Sequence, residues 1–155
     1  MQEAKVSNIQ KKPNLIEQSE DKIHISIVNF LEKIAVFFYH IPNGGYRNQA
    51  EGAKLKRMGV KAGIPDLCIP IPLKPYHGLY LEVKRERNYK VSDAQKFIIP
   101  KLNHMGYHTV VVRGFNESLK AIREYFSLEA WENADAVFLH ELELIKRKLA
   151  MFKEL

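Results

Sequence analysis

The chain has 155 residues, of which 46% are hydrophobic and 27% are charged, and this composition predicts one globular domain with a buried core. No apolar run approaches the roughly 20 residues that cross a bilayer, the polar N-terminus lacks the apolar core of a secretory signal, and the lone Cys68 excludes an internal disulfide. We therefore expect a soluble, cytoplasmic protein, and the formal net charge of +6 favours a polyanionic partner such as nucleic acid.

The first third of the sequence predicts an arm, a helix, a loop and a second helix. Residues 1–18 have no stable period and indicate a flexible N-terminal arm. Ser19 is a good N-cap, and apolar residues recurring every three to four positions predict a helix from about 20 to 38. A loop containing HIPNGG follows, and residues 47–58 predict a short basic helix that Gly59 closes.

The middle of the chain alternates strand and helix signals. Residues 67–72 and 78–85 predict two strands, which a turn near residues 74–77 can join as a hairpin. Ser92 and Gln95 form a capping-box pattern that opens a helix to about Met105, and residues 107–113 predict a third strand. Asn116 is then expected to cap a helix that ends near Phe126. This order predicts an α/β domain at residues 19–127, with a small mixed sheet flanked by helices.

Residues 128–155 predict a C-terminal helical extension. Apolar residues alternate at spacings of three and four, apart from Asp135: they are Leu128, Trp131, Phe138, Leu142, Ile145, Leu149 and Phe152. Such a stripe most often packs on its own domain, and the alternative is a contact with a second copy of the chain.

Three charged residues can meet on one face of the predicted sheet. Glu82 and Lys84 point to the same side of their strand, roughly 7 Å apart, and the hairpin can bring Asp66 opposite either of them. Two carboxylates suit Mg²⁺, and a neighbouring lysine can orient or deprotonate the attacking water, or neutralise charge that builds up during phosphodiester hydrolysis. The alternative is the wet face of an antiparallel sheet, on which such a pair has no chemical role.

The ordered motifs GIPD, GLYLEVK, SDAQ and GYHTVVVRGF resemble those of the virus-type replication-repair (VRR-NUC) nucleases, a branch of the PD-(D/E)XK superfamily. The resemblance covers about residues 19–126 and is closest to small stand-alone phage and bacterial members. It implies a restriction-endonuclease-like core, a divalent-metal-dependent DNA endonuclease of the DNA-repair type, and a phage or prophage origin in a bacterial cell.

The same resemblance implies a set of site residues. Asp66, Glu82 and the backbone carbonyl of Val83 would hold Mg²⁺, for which Mn²⁺ can substitute. Lys84 would be the catalytic lysine, and Gln95 would lie in the active centre. Glu20, at the start of the first helix, would support the metal directly or through water. The family usually has Gln one turn after this glutamate; here the residue is His24, which makes the support from this helix less secure.

Basic and loop residues around these motifs predict a DNA-binding surface, with a solvated charged face as the alternative. They are Asn43, Gly44, Arg47, Lys54, Lys56, Arg57, Lys61, Arg85 and Arg87. Branched or junction DNA and a homodimer are the partners that the resemblance implies, because two symmetric cuts need two matching sites. A restriction-like or end-processing nuclease, or a DNA-binding module that does not cleave, remains open as an alternative.

Overall fold

A computed structural model describes residues 18–43, 49–87 and 89–152 of the chain, and within them four strands form one mixed sheet in the order β1-β2-β3-β4. The strands β1 and β2 pair antiparallel, as do β2 and β3, whereas β3 and β4 are parallel. The predicted α/β class is confirmed, with helices flanking a small mixed sheet and a further helix at the C-terminal end. The predicted N-terminal arm lies outside the described residues up to position 17.

In chain order the elements are α1 (Glu20–Lys33), β1 (Tyr39–His40), α2 (Gln49–Arg57), β2 (Leu67–Ile69), β3 (Leu79–Lys84), α3 (Asp93–His104), β4 (His108–Arg113), α4 (Gly114–Phe126) and α5 (Ala136–Met151). None of these helices is long and apolar enough to cross a membrane.

The main core lies on one face of the sheet, beneath α1 and α4. The alternating residues Leu79, Leu81 and Val83 of β3 are buried and belong to the same apolar cluster as Ile27 and Leu31 of α1. The side chains of Glu82 and Lys84 lie on the other face, which α3 flanks. The pleat of β3 therefore separates the apolar core from the charged residues.

The first helix is shorter than predicted, and a strand follows it that the sequence pattern did not predict. It ends at Lys33 because Ala35 has a φ of +58°, and the backbone N–H of Val36 donates to the carbonyl of Leu31. The chain then turns into β1, where Tyr39 pairs with Cys68 of β2. The predicted end of α1 near residue 38 is therefore wrong. The apolar spacing continues past Lys33, but the chain there turns to pair with β2.

Two other boundaries differ from the prediction for identifiable reasons. The strand β2 ends at Ile69, because Pro70 and Pro72 have no N–H to donate to a ladder. The predicted cap Asn116 lies inside α4, whose N-cap is Arg113 without a side-chain capping bond. The carboxylate of Glu117 accepts instead from the Arg113 backbone N–H at 2.8 Å.

The C-terminal helix begins later than the apolar stripe. Residues 128–135 are not helical, and α5 opens at Asp135, whose side chain accepts from the N–H of Phe138 at 2.8 Å. Leu142, Ile145 and Leu149 are buried in the main apolar cluster. This part of the stripe therefore packs within its own chain.

Candidate active site

The hairpin of β2 and β3 brings Asp66 beside Glu82. Leu67 pairs with Leu81, so Asp66, one residue earlier, lies level with Glu82 in the antiparallel register. The backbone N–H of Val83 donates to Oδ2 of Asp66 at 2.8 Å. Oδ2 of Asp66 is thus hydrogen-bonded to β3, and Oδ1 takes no part in this bond.

Glu82 is the most buried charged residue of the site and binds two partners through one oxygen. Its side chain is 1% exposed, and its Oε1 lies 2.7 Å from Nζ of Lys84. The amide Nε2 of Gln95 donates to the same oxygen. The structure therefore brings Glu82, Lys84 and Gln95 together, as the sequence analysis expected of an active centre.

The capping box of α3 positions Gln95. The side-chain carbonyl of Gln95 accepts from the N–H of Ser92 at 2.8 Å, while the hydroxyl of Ser92 accepts from the N–H of Gln95 at 3.2 Å. The side-chain amide of Gln95 thus caps the start of α3 through its oxygen and donates to Glu82 through its nitrogen. Gln95 is therefore the capping-box partner of Ser92, as predicted, and it also donates to Glu82; its place in an active centre stays a prediction.

The acid and the lysine perturb each other's protonation. Burial raises the pKa of Glu82 to about 7, and the charges of Asp66 and Glu20 add to this, although the hydrogen bond from Lys84 opposes it. For Lys84, burial lowers the pKa, but the hydrogen bond and charge of Glu82 outweigh burial, and the net pKa is raised. The ammonium is therefore protonated at neutral pH, and the site has more negative charge than Lys84 alone can balance.

The donor set fits a divalent cation. The Oε2 atom of Glu82 is buried and has no hydrogen-bond partner among the residues that the structure describes, which is costly for a carboxylate oxygen unless a cation binds it. Among residues 18–43, 49–87 and 89–152, no group of three or more His, Cys, Asp and Glu side chains could by itself hold a metal. Asp66 and Glu82 would need backbone carbonyl, water or phosphate oxygens to complete a shell, and Mg²⁺ readily takes these ligands.

The start of α1 lines an open cavity of about 660 Å³, which Asp66 also lines. Glu20 lines this cavity with Asp66 and Val83, and its charge acts on both Glu82 and Lys84. Glu20 is thus close enough to influence the acids, although its carboxylate is exposed to solvent.

Two histidines form a wall of this cavity, and sequence reasoning missed one of them. The ring of His24 meets that of His40 edge to face, with centroids 4.6 Å apart, and burial followed by the charge of His40 lowers the pKa of His24. The Nδ1 atom of His40 lies 3.0 Å from the carbonyl oxygen of Asp66, which also accepts from Ile41 N–H at 2.8 Å. His40 holds the Asp66 segment in place, and it escaped notice because a strand of two residues has no sequence period.

The predicted DNA-binding residues fall into separate groups. Lys54, Lys56 and Arg57 are exposed on α2, which buries none of its residues, and Lys61 is exposed just after it. Arg85 and Arg87 are exposed immediately beyond β3. The side chain of Asn43 donates to the carbonyl of Ile64 at 2.8 Å and so supports the loop before Asp66, whereas Gly44 and Arg47 lie outside the described residues.

Comparisons with known proteins identify the family. The model of the VRR-NUC domain family matches residues 17–116. This chain belongs to the VRR-NUC family. A solved structure described as a VRR_NUC domain protein is similar to it with a TM-score of 0.66 and 32% sequence identity, covering 76% of this chain and 96% of that one. A comparison with curated proteins finds no match.

The VRR-NUC match includes every residue of the acidic site and excludes the last helix. Glu20, Asp66, Glu82, Lys84 and Gln95 all lie within the matched residues, whereas α5 lies beyond them. The domain is therefore a nuclease domain of the VRR-NUC type, which this chain extends with a C-terminal helix packed on its core.

Proposed function

We propose that this VRR-NUC protein is a divalent-metal-dependent DNA endonuclease that hydrolyses phosphodiester bonds and selects branched DNA such as four-way junctions. The observation that carries the proposal is the buried carboxylate of Glu82, which is paired with Lys84 on one oxygen and, within the described part of the chain, has no hydrogen-bond partner on the other. A structural acid has no reason to leave one buried oxygen unpaired, whereas a metal ligand does.

The proposed roles follow from the geometry. Asp66, Glu82 and the carbonyl of Val83 would hold Mg²⁺ or Mn²⁺, with Glu20 assisting directly or through water. Such an ion, when bound, polarises the phosphoryl oxygen and lowers the pKa of its water. Gln95 orients Glu82 through the hydrogen bond to Oε1.

Lys84 acts by charge in this proposal. Its ammonium lies 2.7 Å from Oε1 of Glu82, at the acidic site, where it can donate hydrogen bonds to the attacking water or to a nonbridging phosphate oxygen. In this way it stabilises the negative charge that develops on the phosphate.

Binding of DNA would rest on phosphate contacts. The exposed cations of α2, together with Lys61, Arg85 and Arg87, are on segments that lead into Asp66 or out of Lys84. Contacts of this kind position a duplex without reading its sequence, and this favours selection by DNA structure.

A homodimer would supply the two matching sites that a four-way junction needs. An apolar groove of about 630 Å³ supports this part of the proposal; it lies between the end of α1, the segment after β2, and α5. Phe37 is 69% exposed beside it, and Leu144 is 44% exposed. A second copy that covered these side chains would remove them from water.

The test is cleavage of labelled DNA by the wild type, Asp66→Ala, Lys84→Ala and the control Lys120→Ala. Lys120 is an exposed lysine of α4 in a weak pair with Glu124, so its loss should leave activity unchanged. The substrates are a four-way junction, a flap, a splayed arm, a continuous duplex and a single strand, each with Mg²⁺, Mn²⁺ or EDTA. Circular dichroism checks that every variant is folded.

We expect paired symmetric nicks in the junction that disappear in EDTA, in Asp66→Ala and in Lys84→Ala. Cuts confined to duplex or to DNA ends would support the restriction-like or end-processing alternative. Binding without cleavage of any substrate would overturn the enzymatic proposal and support a DNA-binding module.

A further inference from the structure

Aromatic side chains lie next to the acidic site, on the same face of the sheet. Tyr80 lies two residues before Glu82 on β3, so its ring is on the same face, about 7 Å away along the strand. The register pairs Tyr39 with Cys68 and Cys68 with Tyr80, and it places Tyr39 on this face also. With Tyr107, which precedes β4, these residues form what we call the tyrosine strip: Tyr39, Tyr80 and Tyr107.

The rings of the tyrosine strip pack beside one another and remain partly open to water. The register places the buried Cys68 between Tyr39 and Tyr80 on neighbouring strands. The ring of Tyr80 meets that of Tyr107 edge to face, with centroids 5.3 Å apart. Tyr39 is 44% exposed, and the other two are half-buried. Rings that are already packed in this way lose little conformational freedom when a ligand stacks on them.

Packing within the chain does not explain the exposed part of the strip. The helix on this face, α3, packs against β4 and buries none of its own residues. The main apolar cluster lies on the opposite face and includes none of the three tyrosines. The strip instead lies next to the acids, within one nucleotide step or two of the place where a scissile phosphate would bind.

We propose that the tyrosine strip stacks an unpaired base next to the scissile phosphate, which favours branched or gapped DNA in which a base beside the cut is unpaired or becomes unpaired when the protein binds. This inference rests on the proposed function. Bases within a continuous duplex have their faces covered by neighbours, whereas an unpaired base offers a face to an aromatic ring, whatever its identity. The strip would therefore select DNA structure, and the phosphate contacts of the basic residues would remain independent of it.

The test compares binding of three labelled DNAs in EDTA, where no metal-dependent cleavage occurs. One is a continuous duplex, one has a short gap of unpaired nucleotides, and one has the same gap filled with abasic nucleotides. The proteins are the wild type, Tyr39→Leu and Tyr39→Phe, and fluorescence anisotropy measures the dissociation constants. The phenylalanine variant is the matched control, because it keeps the ring and removes only the hydroxyl.

We expect Tyr39→Leu to weaken binding of the gapped DNA by about tenfold and of the duplex by less than about twofold. Tyr39→Phe should bind like the wild type, and the abasic gap should weaken wild-type binding as much as Tyr39→Leu does. Equal weakening on duplex and gapped DNA, or none on either, would overturn the proposal. So would an abasic gap bound as tightly as the normal one.

Cleavage of the same DNAs and of the four-way junction by the wild type in Mg²⁺ separates this inference from the proposed function. Cleavage of any of them without a selective effect of Tyr39→Leu on binding overturns the tyrosine strip alone. Tyrosine-dependent binding of gapped DNA without cleavage of any of these DNAs overturns the nuclease and leaves the strip as a binding surface.

Discussion

The free-energy cost of burying charge in the site falls mainly on the carboxylate of Glu82. It is 1% exposed, and it shares one oxygen between Lys84 and Gln95 while the other has no partner. A buried carboxylate is stable as an anion only when nearby positive charge compensates for lost hydration. Lys84 supplies part of that charge, and a proton or a divalent cation can supply the remainder.

The contribution of Glu82 to the stability of the metal-free protein should therefore fall as pH rises. Glu82 has its folded pKa raised from 4.5 to about 7, so the folded state binds a proton more tightly than the unfolded state. This group's contribution to the free energy of unfolding should decrease between about pH 4.5 and 7, by on the order of 3 kcal/mol. Urea unfolding of the wild type and Glu82→Gln at pH 5 and pH 8 in EDTA measures it, because the loss on going to pH 8 should be larger in the wild type than in the variant.

A divalent cation should reverse this loss. At pH 8, Mg²⁺ or Mn²⁺ at about 100 times its dissociation constant should raise the free energy of unfolding by about 3 kcal/mol, because it binds only the folded site. Glu82→Gln and Asp66→Asn should remove most of this gain. Thermal unfolding with and without the ion is the measurement, and equal stabilisation of all three proteins would mean that the ion binds elsewhere.

At the scale of elements, the segment between α2 and β2 must pass close to the start of α3. Gly63 has a φ of +83°, and a Cβ there would lie 2.4 Å from the backbone carbon of Ala94. This close approach puts the segment leading to Asp66 next to the helix that presents Gln95. The contact between Gly63 and Ala94 thus positions the segments that carry Asp66 and Gln95.

Gly63→Ala should destabilise the fold by more than about 1–2 kcal/mol, which is the cost of the left-handed conformation before any clash is counted. Activity should fall further than stability alone explains, because α3 has to move away from Asp66. Gly52→Ala is the control: among the described residues, no atom outside its chain neighbours and the backbone of α2 lies within 4 Å of the added Cβ, and the substitution should stabilise α2 by up to about 1 kcal/mol. Equal effects of the two substitutions would contradict the contact.

The exposed face of α2 should control the salt dependence of DNA binding. Replacing Lys54, Lys56 and Arg57 by alanine should lower the slope of log affinity against log salt by up to about 3, close to one unit for each phosphate charge that is no longer neutralised. The fold should tolerate this because α2 buries none of its residues. Replacing Lys120 and Lys148, on α4 and α5, is the control, and an equal change in slope there would mean that α2 has no special role.

On the scale of the whole molecule, one apolar cluster joins α1, α4, α5 and the sheet. Phe30 of α1 meets Phe152, just after α5, with ring centroids 5.6 Å apart, and Tyr125 of α4 donates from its hydroxyl to the carbonyl of Ile71 at 2.7 Å. Residues beyond the VRR-NUC match thus contribute to the same core as the nuclease domain.

Leu142→Ala should destabilise the protein by about 2–5 kcal/mol, since Leu142 is buried in the core and its truncation leaves a cavity. Val137→Ala, on the same helix but 70% exposed and outside the apolar groove, should change stability by less than about 0.5 kcal/mol. Urea unfolding of both variants measures the difference. A larger effect at Val137 than at Leu142 would contradict the packing of α5 on the core through its buried face.

Local signals in the sequence determined most elements of the fold. The capping oxygens of Ser19 and Ser92 mark helix starts that the structure reproduces, and the alternation in residues 79–84 predicts β3 and the face shared by Glu82 and Lys84. These features depend on neighbours a few residues apart, which is the range over which capping and pleating act.

The tertiary structure alone decided the features that depend on distant partners. Pairing with β2 creates β1 and ends α1 at Lys33, and it brings His40 to Asp66. The fold buries Glu82, to which Gln95 at the start of α3 donates, so the alternative of a wet sheet face is wrong for this residue. The sequence placed the acids and the lysine on one face, but burial sets their protonation and leaves one oxygen unpaired, because desolvation depends on the whole fold.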